Sequence, residues 1–312
     1  MAVNRVLYAT QTVRLQTNSI WYALPAQTAS ADETIPQDDV LVLGKLGGVA
    51  RLQKDVATCK ASVKIFALSD LTMLTNTVSY TEGTVHNMAQ MCTALEAQSR
   101  LGVNARIQVD SAGLAGTTNQ DDGFQIDAIC SSISVDAGKG AFPTLDFSFE
   151  GVGRLDTLAM GTAGTLADTN GGDTAITSGV PLTSQNVDAN GATNDTVASL
   201  KFSYDMPTEV LNALGGQIKG TTSQVSATNK MFTKPPFKAS MTADGQGLTN
   251  IAAAWASAAY MDLESTTGNN SCRFTIVSTG LAVSSQSFSQ NVGDVGATFN
   301  VTAEGTDATF TV

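Results

Sequence analysis

Unbroken alternation of apolar and polar residues recurs along the chain. It runs through Val103-Asn104-Ala105-Arg106-Ile107-Gln108-Val109 and returns at Phe124–Ala128, Leu145–Phe149 and Phe299–Ala303. Successive side chains of a strand point to opposite faces, so this period predicts strands with one face buried. Turn-rich breaks at Asp136–Gly140 and Asn291–Asp294 separate strand runs and predict a hairpin near the end of each half. Two segments carry helical spacing instead. Val85, Met88, Ala89, Cys92 and Leu95 predict one helix, with Thr81 or Thr84 as its cap. Ile251, Ala254, Trp255 and Ala258, preceded by Thr249, predict a second. The expected fold class is mainly β, a sandwich- or barrel-like domain with one helix covering one side.

The halves also echo each other. SSISVDAGKGAFPTLDFSFEG (131–151) returns as SSQSFSQNVGDVGATFNVTAEG (284–305), with Thr144 matching Thr298 and Glu150-Gly151 matching Glu304-Gly305. In the same chain order, Val13-Arg14-Leu15 resembles Leu200-Lys201-Phe202, and Lys60-Ala61-Ser62 resembles Lys238-Ala239-Ser240. The separation is of domain size, so the expectation is a domain duplicated in tandem, not a solenoid. The expected boundaries are a first domain over 1–160, a linker over 161–195 rich in Gly, Thr, Ala, Asp and Asn, and a second domain over 196–312. At 312 residues the chain has room for two cores. The first half carries an extra segment at about 17–48. Ile20, Trp21, Tyr22 and Leu24 within it are costly to leave in water, so it is read as a docking arm contacting a neighbouring subunit.

Composition narrows the function classes. Charged residues are 14% of the chain, against roughly 25% in an average soluble domain. Low charge removes a brake on association and favours a protein packed against copies of itself. The net charge of −11 argues against a protein that grips nucleic acid through its phosphates. Four cysteines, Cys59, Cys92, Cys130 and Cys272, are scattered without a CxxC pair, which predicts buried free thiols rather than a disulfide framework or zinc site. The longest apolar run, 251–261, is shorter than the roughly 20 residues of a membrane span, and the N-terminus has no apolar signal core.

Catalytic chemistry finds little support. His86 is the lone histidine and has no nucleophile motif beside it. The acid pairs Asp38-Asp39 and Asp121-Asp122 lack the surrounding ligand pattern of a cation loop. Gly47-Gly48 and Gly215-Gly216 are not followed by the Lys-Ser/Thr of a phosphate loop. Arg51, Lys54, Lys60 and Lys64 read as one solvated or subunit-facing strand face. No enzymatic activity, cofactor or metal is expected.

The segment LGKLGGVARLQKDVATCKASVKIFAL (43–68) resembles the early sheet of major tail tube proteins of long-tailed bacteriophages, and FSFEGVG (147–153) is similar to the end of such a domain. That resemblance implies a virion structural protein assembled in the host bacterial cytoplasm. Members stack as rings of six domains around a channel. Those with two fused tube domains form trimeric rings of pseudo-sixfold symmetry, the type the duplication fits, and by analogy a flexible tail. Implied partners are further copies of the chain, the tape-measure, tail-terminator and distal tail proteins, and phage DNA passing without specific binding. The long arm at 17–48 takes the place of the family's inter-ring loop. Asp127, Asp146 and Asp294 are the expected lumen carboxylates, whose charge would keep DNA from sticking. A β-rich viral coat or decoration protein and a surface adhesin or fibre module remain as alternatives.

Overall fold

The fold is given by a computed structural model, which describes residues 11–17, 20–24, 26–53, 55–66, 73–75, 88–111, 123–138, 141, 143–153, 155–158, 184–186, 188–189, 192–193, 197–211, 230–245, 259–264, 275–278, 282–290 and 297–311. In chain order the first part holds β1 (Gln11–Thr17), β2 (Ile20–Leu24), β3 (Ala26–Thr34), β4 (Gln37–Leu41), β5 (Gly48–Gln53), β6 (Thr58–Phe66), β7 (Met73–Thr75), α1 (Met88–Arg100), β8 (Ala105–Ser111), β9 (Gly123–Gly138), β10 (Thr144–Val152) and β11 (Asp156–Leu158). Then follow β12 (Ser184–Asn186), β13 (Asp188–Ala189), β14 (Ala192–Thr193), β15 (Val197–Asp205), β16 (Thr208–Leu211), β17 (Lys230–Thr233), β18 (Lys238–Gly245), β19 (Ala259–Glu264), β20 (Thr275–Ser278), β21 (Ala282–Ser289), β22 (Thr298–Gly305) and β23 (Thr309–Thr311). The protein is mainly β, with α1 as the helix among the described residues.

The expected alternation dictates the strands. In β6, Cys59, Ala61, Val63 and Ile65 point inward, while Lys60 and Ser62 are exposed. Leu145, Phe147 and Phe149 of β10 do the same, with Asp146, Ser148 and Glu150 on the other face. The long strand β9 organises the molecule. Its first half pairs with β8 and β11, and its second half pairs with β10 and β15. One layer is therefore β7-β2-β1-β8 leading into β9, and the other is the run β3-β6-β10-β9-β15-β18-β22-β21. Val13, Leu15, Ile107 and Ile126 of the first layer share one buried cluster with Val63, Phe147, Phe202, Met241 and Val301 of the second. Met91, Cys92 and Leu95 of α1 join that core at helical spacing.

The eight-stranded run reads as two fours, β3-β6-β10-β9 and β15-β18-β22-β21, each antiparallel throughout. Register irregularities fall at matching places. The β9/β10 pairing skips Ser131 and the β21/β22 pairing skips Ser284. The β3/β6 pairing skips Gln27 and the β15/β18 pairing skips Ala198. In each four a hairpin laid out alike lies in the chain between the first two strands, Gln37 opposite Gln53 in β4/β5 and Thr208 opposite Thr233 in β16/β17. β9 is flanked by β8 and β11 as β20 is by β19 and β23.

Several expectations need correction. Among the described residues no sheet closes into a barrel. Lys60 lies opposite Glu150, but Glu304 lies opposite Ser240, so the Lys-Ala-Ser echo sits two residues out of step with the pairing scheme. β15, which contains Leu200-Lys201-Phe202, pairs with β18 and β9, whereas β1, which contains Val13-Arg14-Leu15, pairs with β2 and β8. The segment read as linker contains β12, β13 and β14, and β12 pairs with β19. Backbone pairing needs no large apolar side chains, so the composition did not announce these strands. The helix expected at 251–258 and the break at 291–294 lie outside the described residues.

Candidate functional site

The outward face of the eight-stranded run is a continuous polar wall. Ser30, Ser62, Ser148 and Ser132 succeed one another across four strands, and Ser203, Thr242, Thr302 and Ser285 continue the theme across the other four. The short hydroxyls satisfy one another, Ser30 to Ser62 at 2.8 Å and Thr242 to Thr302 at 3.1 Å. Phe66 at the end of β6 interrupts the pattern.

Every lysine on this wall faces a carboxylate. Lys60 donates to Glu150 at 2.6 Å and also stands opposite Asp32. Lys64 lies 3.3 Å from Asp146, Lys201 lies 3.6 Å from Asp136, and Lys238 stands opposite Asp205. Asp244 and Glu304 sit opposite Asn300 and Ser240, leaving carboxylates in excess. Burial pushes the Glu150 carboxyl up, but hydrogen bonds donated by Lys60 and Thr208 outweigh it and hold its pKa below the ordinary 4.5. The Glu150 bond in turn raises the Lys60 pKa. Such a wall presents hydroxyls and neutralised pairs, with no run of unopposed cations to hold a polyanion.

Of the expected lumen carboxylates, Asp146 belongs to this wall. Asp127 stands on the first half of β9, where Arg106 of β8 grips it with two hydrogen bonds of 2.7 and 3.0 Å. Asp294 lies outside the described residues.

The expected arm residues need a different account. Ile20–Leu24 is a strand paired with β1 on one side, and Ile20, Trp21 and Tyr22 are paired with β7 on the other. Leu24 is 3% exposed and belongs to the molecule's own core, opposite Val13, so it is not an exposed docking residue. The side chains of Ile20, Trp21 and Tyr22 lie outside the described set. The exposed apolar surface lies further along, on the β4–β5 hairpin. Leu41, Leu43, Leu46 and Leu52 are exposed, Leu43 and Leu46 completely. Arg51 bonds Asp39 across the hairpin at 2.8 Å, which fixes its shape without burying anything. LGKLGG at the tip could have flagged this, since a turn with two exposed leucines wastes apolar surface unless something covers it.

The β16–β17 hairpin, laid out like β4–β5, is docked. Met231 packs with Ile129 and Val152, Thr233 donates to the Ser99 carbonyl at 2.8 Å, and Thr208 donates to Glu150. Gly102, at φ +65, leaves room for the Phe232 ring, which a Cβ would meet at 2.7 Å. Arg100, at the end of α1, completes the seam by donating to Tyr204 at 2.9 Å and to Asp307 at 2.6 Å, over the Phe237 ring.

Cys59, Cys92 and Cys130 are buried and in no disulfide, and burial pushes the Cys92 and Cys130 pKa values up, away from reactive thiolate. Among the described residues no group of His, Cys, Asp and Glu could hold a metal ion, and no helix is long and apolar enough to cross a membrane. His86 and Asp121-Asp122 lie outside the described residues. Comparison with protein-family models gives no match, and comparison with curated protein sequences gives none either.

Proposed function

We propose that the chain is a structural subunit of a phage tail tube, built from two tandem copies of one β domain and forming trimeric rings of pseudo-sixfold symmetry that stack around a DNA channel. The observation that carries this reading is the strand-for-strand correspondence of β3-β6-β10-β9 with β15-β18-β22-β21, including skipped residues at Ser131 and Ser284 and at Gln27 and Ala198. A bulge is a local feature kept for its geometry, so two at matching places are unlikely companions of independent folds. Two like domains joined side by side in one sheet already make a third of a six-domain ring. Closing that sheet on itself through further copies would remove its edges.

The polar wall supports the channel. It is hydroxyl-rich, its lysines face carboxylates, and acid exceeds base. A passing duplex would meet weak repulsion and no sequence-reading groups. The exposed leucines of β4–β5 support stacking or lateral docking by that hairpin. Tape-measure, tail-terminator and distal tail proteins are the partners this role entails, the virion tail is its location, and no enzymatic step is assigned.

Negative-stain microscopy of the purified protein tests the reading. Rings or tubes with a central channel are expected. Closed shells would favour a coat or decoration protein, and isolated particles at high concentration would favour an adhesin or fibre module.

A further inference from the structure

We propose that β21 of one copy pairs with β3 of the next in the register that joins β9 to β15 inside the chain. This rests on the ring-forming reading above and specifies its lateral contact. Among the described strands, β3 pairs with β6 alone in its run and β21 pairs with β22 alone, so they are the two ends of the eight-stranded sheet. The internal seam supplies the template, with Ser132 opposite Asp205, Ser134 opposite Ser203 and Asp136 opposite Lys201. Aligning the bulges at Ser131 and Ser284 carries Ser132, Ser134 and Asp136 onto Ser285, Ser287 and Ser289. Aligning Gln27 with Ala198 carries Asp205, Ser203 and Lys201 onto Thr34, Asp32 and Ser30. The contact between copies then sets Ser285 opposite Thr34, Ser287 opposite Asp32 and Ser289 opposite Ser30.

The side chains fit that register. No like charges meet on the polar face, where directly opposed like charges are destabilising. On the inner face the seam within the chain sets Val135 opposite Phe202, and the same arithmetic sets Phe288 opposite Ala31. The phenylalanine changes sides of the seam, and the pair is smaller than Val135–Phe202 by two side-chain carbons. Val135 is 1% exposed, whereas Phe288 is 62% exposed in a single copy. The hairpins obey the same transfer. Leu52 takes the place of Phe232, whose ring lies against Gly102 just after α1, so β4–β5 would reach across to the adjoining copy. Because the two edges differ, the contact is head-to-tail and generates a ring when the rotation closes.

Cross-linking tests the register. The double variant Asp32→Cys/Ser287→Cys, oxidised mildly in solution, should give disulfide-linked dimers and trimers on non-reducing gels, and neither single variant should. The pair Asp32→Cys/Ser285→Cys, displaced by two residues on the same face, should link at least about tenfold less, because diagonal positions lie about 7–8 Å apart and disulfides need Cα atoms within about 7 Å. Rings or tubes that form without the Asp32/Ser287 link, or that link better through Ser285, would overturn this contact while leaving the tube reading intact. Monomers at high concentration with no link in any variant would overturn both.

Discussion

Val135 and Phe288 each lie four residues past a residue that its hairpin pairing skips, Ser131 and Ser284, yet one is buried and the other is mostly in water. Their own sequences do not explain the contrast, since phenylalanine is the larger apolar residue. Position in the sheet does: β9 has β15 beside it, and β21 has no strand beyond it among those described. The docked β16–β17 hairpin and the exposed β4–β5 hairpin differ in the same way. What one half of the chain supplies to the other at the central seam is missing at the outer ends, and another copy of the chain has the surfaces to supply it.

The sharpest way to separate the two kinds of position is to truncate each. Phe147→Ala, at a fully buried site, should cost about 3–5 kcal/mol of folding stability, read by denaturant unfolding. Phe288→Ala loses only the tilted ring contact with Phe299 at 5.4 Å, so it should cost about 0.5–1.5 kcal/mol of monomer stability while weakening assembly in sedimentation. Equal destabilisation by both would mean that Phe288 already has its partner within the chain. A triple variant, Leu41→Ser/Leu43→Ser/Leu46→Ser, should leave the unfolding midpoint unchanged and reduce assembly by tenfold or more. Unchanged assembly would remove the hairpin from the interface.

Gly102→Ala probes the docked hairpin. A Cβ there would strike the Phe232 ring and strain a left-handed backbone, at a cost of about 1–2 kcal/mol. Gly47, also at positive φ but with open space around it, should cost only the backbone part when changed to Ala. Thermal unfolding of the two variants compares them directly.

The smallest effect concerns pH. The folded Glu150 carboxyl has its pKa below 4.5, so its contribution to stability is complete above that value and is lost as pH falls through the lower folded value. Glu150→Gln should flatten the acid limb of the stability curve below about pH 4.5 relative to wild type. An unchanged acid limb would mean that the Lys60–Glu150 pair adds nothing, as exposed pairs often do.

Much of this was readable in residues whose inward side chains are large. Leu145, Phe147 and Phe149 announce β10, and Met88, Cys92 and Leu95 announce α1. The strand Ala26–Thr34 did not announce itself, because its inward positions include Ala29 and Ala31, and AQTASADET reads as a loop. The pairing of Lys60 with Glu150 but of Ser240 with Glu304 is not legible either, because a two-residue slip preserves strand alternation. On the polar wall, Asp146 sits in a strand that the alternation announces, whereas the pairing of each lysine with an acid depends on strand order, which composition does not reveal. Leu24 was misread because a strand flanked by Pro25 and a long polar stretch resembles an arm until its partner β1 is known.

The account rests most heavily on three chains supplying six like domains to one ring. Cryo-electron microscopy of the assembled protein viewed end-on, with the chains per ring counted by native mass spectrometry of the dissociated rings, tests it directly. The expected result is six lobes in three equivalent pairs around a channel, and a ring mass of three chains. Six chains per ring, an assembly with no channel, or a monomer at every concentration would contradict it.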